Sequence, residues 1–203
     1  MEQCCEIKTD LPAHQRRVLH IVLWLNSLMF VAEFGSGVAA HSTALLADSV
    51  DMFGDAIVYG FSLYALARGT VWQARVALLK GLIMAAFGVG VVVEVIHKIV
   101  AGVVPSSEVM SIVGLVALAA NAFCLILLSR HRGDDINMRS AWLCSRNDVI
   151  ANASVLVAAG GVALSGSGWP DILVGLAIAA LFGNSAIGVI RDARRHLRPA
   201  AVT

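Results

Sequence analysis

Two pairs of potential metal ligands stand at helical spacing inside long apolar segments. One pair is Asp51 and Asp55, and the other is Cys144 and Asp148. Residues four apart lie on one face of a helix, about one turn from each other. Charged carboxylates at the centre of a bilayer cost roughly 2.5–3.5 kcal/mol each on insertion scales, so they usually mark an ion or proton pathway. Two helices that each offer two such ligands can complete a four-coordinate metal site.

The helices that must position these ligands belong to a chain with the composition of an integral membrane protein. Its 203 residues are 58% hydrophobic and 14% charged, whereas soluble domains carry about 25% charged residues. A span needs about 20 apolar residues, and the stretches that qualify are 18–40, 43–67, 76–100, 109–129, 140–164 and 169–190. We therefore predict an all-α, multi-pass membrane protein with six transmembrane helices, in the inner membrane if the cell is bacterial.

Basic residues predict the orientation of these helices. They flank one end of the predicted bundle, at Lys8, Arg16, Arg17, Arg68, Arg75, Lys80, Arg130, Arg132, Arg139, Arg191, Arg194, Arg195 and Arg198. On the other side only Lys98 stands near a loop. The positive-inside rule then places both termini in the cytoplasm. The predicted organisation is a cytoplasmic tail over 1–17, a six-helix transmembrane domain over 18–190 and a short basic cytoplasmic tail over 191–203.

Further polar residues in the spans are candidates for the ion pathway or for a second layer around the ligands. They are Asp48, Asn121, Asn147 and Asn152. The alternative is structural: asparagines form hydrogen bonds between helices, and Asp48 could belong to a salt-bridged cluster. We also expect Arg146 to pair with Glu33 or Glu94.

Two adjacent cysteines, Cys4 and Cys5, stand in the N-terminal tail. They could capture a soft metal ion, or they could be free thiols of a disordered tail. The sequence contains no phosphate-binding loop, no HExxH motif and no Ser-His-Asp order, so we expect no enzymatic activity and no prosthetic group. The net charge of +1 gives no indication of nucleic-acid binding.

The run from Ser42 to Asp55, STALLADSVDMFGD, resembles the second helix of the cation diffusion facilitator family, also called the cation efflux family. In that family an Asp or His, three residues and an Asp follow an SxALLAD run. The stretch from Cys144 to Asn152 is similar to the fifth helix of the family, where His or Asp, three residues and Asp are usual. By position, Asp51, Asp55, Cys144 and Asp148 match the transport-site ligands.

The resemblance implies export of a divalent metal, usually Zn²⁺, from the cytoplasm in exchange for protons, by a homodimer in the lipid membrane. Cd²⁺, Co²⁺ and Fe²⁺ are alternative substrates, and the thiolate of Cys144, where His is common, suits Zn²⁺ or Cd²⁺ better than Mn²⁺ or Mg²⁺. We expect the chain to lack the family's C-terminal ferredoxin-like domain. The rival interpretations are a membrane protein that binds metal without transporting it, such as a sensor or assembly subunit, and a passive cation channel.

A chemical argument favours exchange of metal for protons at the predicted ligands. Three carboxylates and a thiol at close range in a low-dielectric environment cannot all ionise without a cation. The empty site should therefore hold shared protons, which a metal must displace because ligands bind in their deprotonated form.

Overall fold

A computed structural model describes residues 13–64, 69–133 and 136–197 as a bundle of long helices. The helices are α1 (Ala13–Ala40), α2 (Thr43–Tyr64), α3 (Gly69–Ala101), α4 (Ser107–Ser129), α5 (Ile136–Ser165) and α6 (Trp169–Leu197). Within these ranges there is no β-strand, so the all-α prediction is confirmed. The helix α1 begins before the predicted span and α6 continues beyond it, because helical hydrogen bonding does not stop where the apolar segment ends.

The bundle exposes large apolar side chains and buries several polar ones. Large apolar side chains face outward, with Trp24, Val100 and Leu164 72%, 82% and 93% exposed, while Glu33 and Asn152 are fully buried. Exposed large apolar side chains occur on five of the described helices, and apolar surface of this extent indicates contact with lipid. The chain is therefore an integral, multi-pass membrane protein.

Five of the six helices are long and apolar enough to cross a membrane, and α2 is the exception among the described helices. Its 22 residues include Asp48, Asp51 and Asp55. The acids that indicate function are thus the same residues that make α2 look unlike an ordinary span. Contacts with its neighbours explain how it is accommodated, since α2 packs against α1, α3, α5 and α6.

The helices associate as a group of four and a pair. The most extensive contacts join α1 with α2, α4 with α5, and α3 with α6. Further contacts of α1 with α4 and of α2 with α5 complete the group of four. The α3–α6 pair packs against that group through α2 and α5. Both helices with predicted ligands, α2 and α5, therefore lie where the two parts meet.

Three separate contacts fix the register between the antiparallel helices α1 and α2. The rings of Phe30 and Phe53 lie 4.8 Å apart between centroids. A Cβ added to Gly37 would stand 3.0 Å from Leu46 Cγ, and one added to Gly60 would stand 3.8 Å from Leu23 Cδ1. All three contacts agree with one alignment of the two helices, and in that alignment Glu33 is level with position 50 of α2.

Short turns close one end of the bundle, which we call the turn end. They comprise residues 41–42, 102–106 and 166–168. The backbone N–H of Ser106 donates to the carbonyl of Ala40 at 3.1 Å, and a Cβ added to Gly168 would lie 3.0 Å from the carbonyl oxygen of Val103. The three turns therefore touch one another, and α1 begins and α6 ends at the opposite end, which we call the termini end.

Candidate metal-transport site

One buried face of α2 carries a column of polar groups at intervals of one turn. Asp51, Asp55 and Tyr59 follow each other at a spacing of four and are 8%, 7% and 3% exposed. The two aspartates were predicted from this spacing, whereas Tyr59 was missed. The same spacing could have identified Tyr59, because it lies one further turn along the face of Asp51 and Asp55.

The helix α5 brings a third carboxyl group to this column. Asp148 is buried, forms a side-chain hydrogen bond with Asp51 and lies within electrostatic range of Asp55. A hydrogen bond between two carboxyl groups requires a proton on one of them, since a carboxylate can only accept. The structure thus brings together the acids that the sequence placed at similar depth on two different helices.

Tyr59 lies among the remaining predicted ligands. Its side chain forms a hydrogen bond with Asp55 and is within electrostatic range of Cys144 and Asp148, and its hydroxyl reaches the carbonyl oxygen of Ala141 at 3.5 Å. Cys144 is half-buried. In this position the hydroxyl of Tyr59 orients the carboxyl group of Asp55 and gives it a polar neighbour.

The four predicted ligands are neighbours but do not form a ready-made coordination sphere. Over the described parts of the chain, no three His, Cys, Asp or Glu side chains are positioned to hold a metal ion. Asp51, Asp55 and Cys144 each make interactions with other groups. Metal binding by these four residues therefore requires their side chains to exchange present partners for the ion, and the complete ligand set stays a prediction.

The predicted second layer divides into residues inside the bundle and one outside it. Asn121 is buried and its amide donates to Met52 Sδ at 3.7 Å. Asn152 is buried and donates to the carbonyl of Asp148 at 2.9 Å, one turn from the predicted ligand. Asn147 is exposed, so the structure places it away from the buried face of Asp148 and Asn152.

Among the described residues, Asp48 has no salt-bridge partner, so the structural alternative of a salt-bridged cluster finds no support there. It is fully buried, and so is Glu33 of α1. None of the four carboxyl oxygens of these two residues has a hydrogen-bond partner within residues 13–64, 69–133 and 136–197. The register of α1 and α2 places Glu33 level with the segment between Asp48 and Asp51. We call these two residues the Glu33–Asp48 pair.

Another buried carboxylate, Asp171, lies near the turn end and has hydrogen-bond partners for both of its oxygens. One of its oxygens accepts from Ser42 Oγ at 2.6 Å and from the N–H of Ala44 at 3.1 Å, and the other accepts from the N–H of Thr43 at 2.7 Å. Lys98, which is 0% exposed in its side chain, completes the arrangement with an ion pair. We call Ser42, Thr43, Lys98 and Asp171 the turn-end anchor.

The turn-end anchor ties the first turn of α2 to the α3–α6 pair. The Ser42 hydroxyl accepts from the N–H of Leu45 at 3.2 Å, as an N-cap residue does, while Asp171 satisfies two more of the free N–H groups of that turn. A Cβ added to Gly175 would lie 2.7 Å from the carbonyl carbon of Thr43. Only glycine permits this close approach of α6 to α2.

The expected partners of Arg146 were wrong. Arg146 is exposed, and its guanidinium carbon lies 5.7 Å from the centroid of the Trp142 ring. Glu94 instead lies 3.8 Å from His41 Nδ1 and 4.0 Å from His97 Nδ1. An arginine on the outer side of α5 can rest its guanidinium on an aromatic face. Glu33 has no basic partner within the part of the chain that the structure describes. The predicted capture residues Cys4 and Cys5 lie outside the described residues.

Comparison with known proteins matches these features to a family. The model of the cation efflux transmembrane domain matches residues 19–197. The chain is similar to the metal cation efflux system protein CzcD of Cupriavidus metallidurans, with 25% identity over 86% of this chain and 58% of the relative. It is also similar to the zinc transporter ZitB of Yersinia pseudotuberculosis, with 25% identity over 91% of this chain and 63% of the relative.

The chain thus spans about three fifths of the length of these relatives. The part that is shared is the helical domain, because the family model covers five helices and nearly all of α1. With this match over most of its length, the chain belongs to the cation efflux family.

Proposed function

We propose that this protein is a secondary transporter that moves divalent metal cations out of the cytoplasm in exchange for protons. The observation that supports this most directly is the meeting of Asp51, Asp55 and Asp148 inside the bundle, at the contact between two membrane-embedded helices. Packing alone does not need three buried acids there. An intramembrane acid that faces the bundle interior is the usual mark of an ion pathway.

Protons and metal would compete for the same ligands. The hydrogen bond between Asp148 and Asp51 requires a shared proton. A divalent cation can take up both carboxylates only when that proton leaves. If the site opens alternately to the two sides of the membrane, protons that enter from outside release the metal there. The inward proton gradient would then drive metal outward.

Zn²⁺ is the substrate that we propose first. Asp51, Asp55, Asp148 and Cys144 would supply three oxygen ligands and one sulfur, a donor set that accepts Zn²⁺ and, because of the thiolate, Cd²⁺. The name of the similar zinc transporter agrees with this choice. Tyr59 would not bind the ion. It would hold the carboxyl group of Asp55 by a hydrogen bond until that group binds the metal instead.

The membrane orientation and the oligomeric state belong to the same proposal. We propose that the termini end faces the cytoplasm, which is supported by the basic residues at that end, and that the protein acts as a homodimer. Protease accessibility of the termini in sealed vesicles tests the orientation. The mass of the protein in detergent, measured by light scattering, tests the dimer.

Metal uptake into proteoliposomes under an imposed pH gradient tests the central proposal. Wild-type protein should accumulate Zn²⁺ only when the gradient is present, and Asp55→Ala should abolish accumulation while the variant still inserts and folds. Glu108→Gln, which changes an exposed acid of α4, is the matched control and should transport normally. Flux that ignores the gradient would indicate a channel, and binding without flux would indicate a non-transporting metal protein.

A further inference from the structure

The Glu33–Asp48 pair is a group of buried acids that the proposed metal site does not use. Both residues are fully buried. The contacts of Phe30 with Phe53 and of Gly37 with Leu46 align α1 and α2 on either side of them. In this alignment Glu33 stands beside the turn of α2 that runs from Asp48 to Asp51. The pair therefore lies next to the first predicted ligand, on the side of the turn end.

No positive side chain of the described bundle is placed to neutralise this pair. Lys98, the fully buried base of α3, is held by Asp171, and Arg146 of α5 lies at the surface beside Trp142. The histidines at the turn end, His41 and His97, are more than half exposed and lie beside Glu94.

The groups that do face the pair are acidic or neutral. On α2 these are Asp51 and, one turn further, Asp55. From α5, Asp148 lies within electrostatic range of Asp48, and Asn152 follows Asp148 on the same buried face. From α4, Asn121 is directed at Met52 and has no charge. At the turn end, α6 presents Asp171, whose charge is already matched by the ammonium group of Lys98.

An isolated carboxylate in a low-dielectric interior is far more costly than a carboxylic acid, so groups in this position are neutral or bind a cation. All four oxygens of the pair lack a donor from the described protein. They can therefore accept or release protons without first breaking a fixed hydrogen bond. The carboxylate of Asp171 differs in this respect, because four donors occupy it.

We propose that Glu33 and Asp48 form a proton-transfer pair that connects the turn end of the bundle with the metal ligands. This inference rests on the proposed exchange of metal for protons. As the metal leaves, the carboxylic acid of Glu33, which is level with position 50 of α2, gives its proton to the carboxylate of Asp51. Asp48, which lies nearer the turn end, then passes its proton to Glu33, and water at the turn end restores the proton of Asp48.

Two transport assays separate proton transfer from metal binding. Proton-driven Zn²⁺ uptake requires every step of the cycle. Exchange of isotopically labelled for unlabelled Zn²⁺ at equal pH on both sides requires only that the loaded site change its exposure. The variants are Glu33→Gln and Asp48→Asn, which preserve shape and remove the titratable group, with Glu108→Gln as the control for an exposed acid.

Glu33→Gln and Asp48→Asn should each lower proton-driven uptake at least about tenfold, since a positioned proton-transfer group contributes about 10²–10⁴-fold. Equal-pH exchange and the Kd for Zn²⁺ at alkaline pH should stay at wild-type values. Glu33→Asp, which keeps a carboxyl group, should restore part of the proton-driven uptake. This rescue also distinguishes proton transfer from a defect in folding.

Two results would overturn the inference. If both amide variants retain wild-type proton-driven uptake, the pair carries no proton. If exchange and Kd are impaired as strongly as proton-driven uptake, the pair is part of the metal site. Failure of the proposed function itself would be visible in the wild type, which would then show no uptake under a pH gradient in any preparation.

Discussion

Asp171 and Asp48 are both fully buried aspartates of one bundle, but their surroundings differ completely. Asp171 accepts two backbone N–H groups and a hydroxyl and forms an ion pair with Lys98. Asp48 has no hydrogen-bond partner in the described protein, and the charges nearest to it belong to other acids. A buried charge with all its bonds made holds helices together, whereas one without them is available to protons or cations.

The two environments also occupy different places in the fold. The turn-end anchor joins the start of α2 to α3 and α6, beside the three short turns. The acids lie deeper, where α2 meets α1 and α5. A helix held firmly at one end and lined with exchangeable groups further along can keep its place in the bundle while its polar face changes partners. This division suits the transport that we propose, in which the protein must bind and release an ion without losing its fold.

The largest effect on stability should come from breaking the turn-end anchor. Lys98→Met leaves the carboxylate of Asp171 buried without its counter-ion, and loss of one partner of a buried pair costs about 3–5 kcal/mol. Asp48→Asn should keep or raise the stability, because it removes a buried acid that has no hydrogen-bond partner among the described residues. Thermal unfolding of both variants in the same detergent makes the comparison. Equal destabilisation of both would show that Asp48 is as structural as Asp171.

The pH dependence of metal affinity tests whether the buried acids of α2 and α5 exchange protons for metal, unlike the fully bonded Asp171. Metal must displace protons from the buried carboxyl groups, so affinity should fall as pH falls. Release of one proton per metal weakens binding about tenfold per pH unit, or about 100-fold from pH 8 to pH 6. Calorimetry in buffers of different ionisation enthalpy counts the released protons. The slope should decrease in Asp148→Asn, and binding that is independent of pH would exclude exchange at these ligands.

Local spacing was enough to predict the helices and three of the buried acids, Asp51, Asp55 and Asp148. Long apolar stretches predicted six helices, and the interval of four placed Asp51 and Asp55 on one face. The buried ion pair between α3 and α6 could not be predicted this way. Lys98 and Asp171 are separated by 73 positions and stand near loops, where charged residues are ordinarily solvated.

Glu33 and Tyr59 illustrate two reasons why the rest of the site could not be predicted from the sequence. Glu33 is a single acid on α1, and only the register set by contacts such as Phe30 with Phe53 places it beside Asp48. Tyr59 continues the spacing of the aspartates, but an aromatic residue on an apolar helix is ordinarily a packing residue. Both acquire a chemical role only through neighbours on other helices, which local periodicity does not specify.

A smaller effect is expected from substituting Cys144, the predicted thiol ligand. Cys144→Ser replaces a soft ligand by a hydroxyl and should lower the preference for Cd²⁺ over Zn²⁺ by about tenfold, which corresponds to about 1.4 kcal/mol. Competition between the two metals in the transport assay measures this ratio. Cys124→Ser is the comparison, because Cys124 is a fully buried thiol in an apolar cluster with Leu128 and Met138. A shift only in Cys124→Ser would assign the soft ligand to α4.

The smallest effect should come from trimming the turn-end anchor without removing its charges. Ser42→Ala deletes the donor to Asp171 at 2.6 Å and the acceptor for the N–H of Leu45, and loss of an N-cap hydroxyl typically costs about 1 kcal/mol. Ser111→Ala is the matched control, since Ser111 is exposed and donates only to its own helix at Ser107. Thermal unfolding should separate the two variants, while both keep the wild-type Kd for Zn²⁺. If Ser42→Ala instead weakens metal binding at unchanged stability, the anchor is coupled to the acids along α2, and the division between a structural end and an exchangeable middle does not hold.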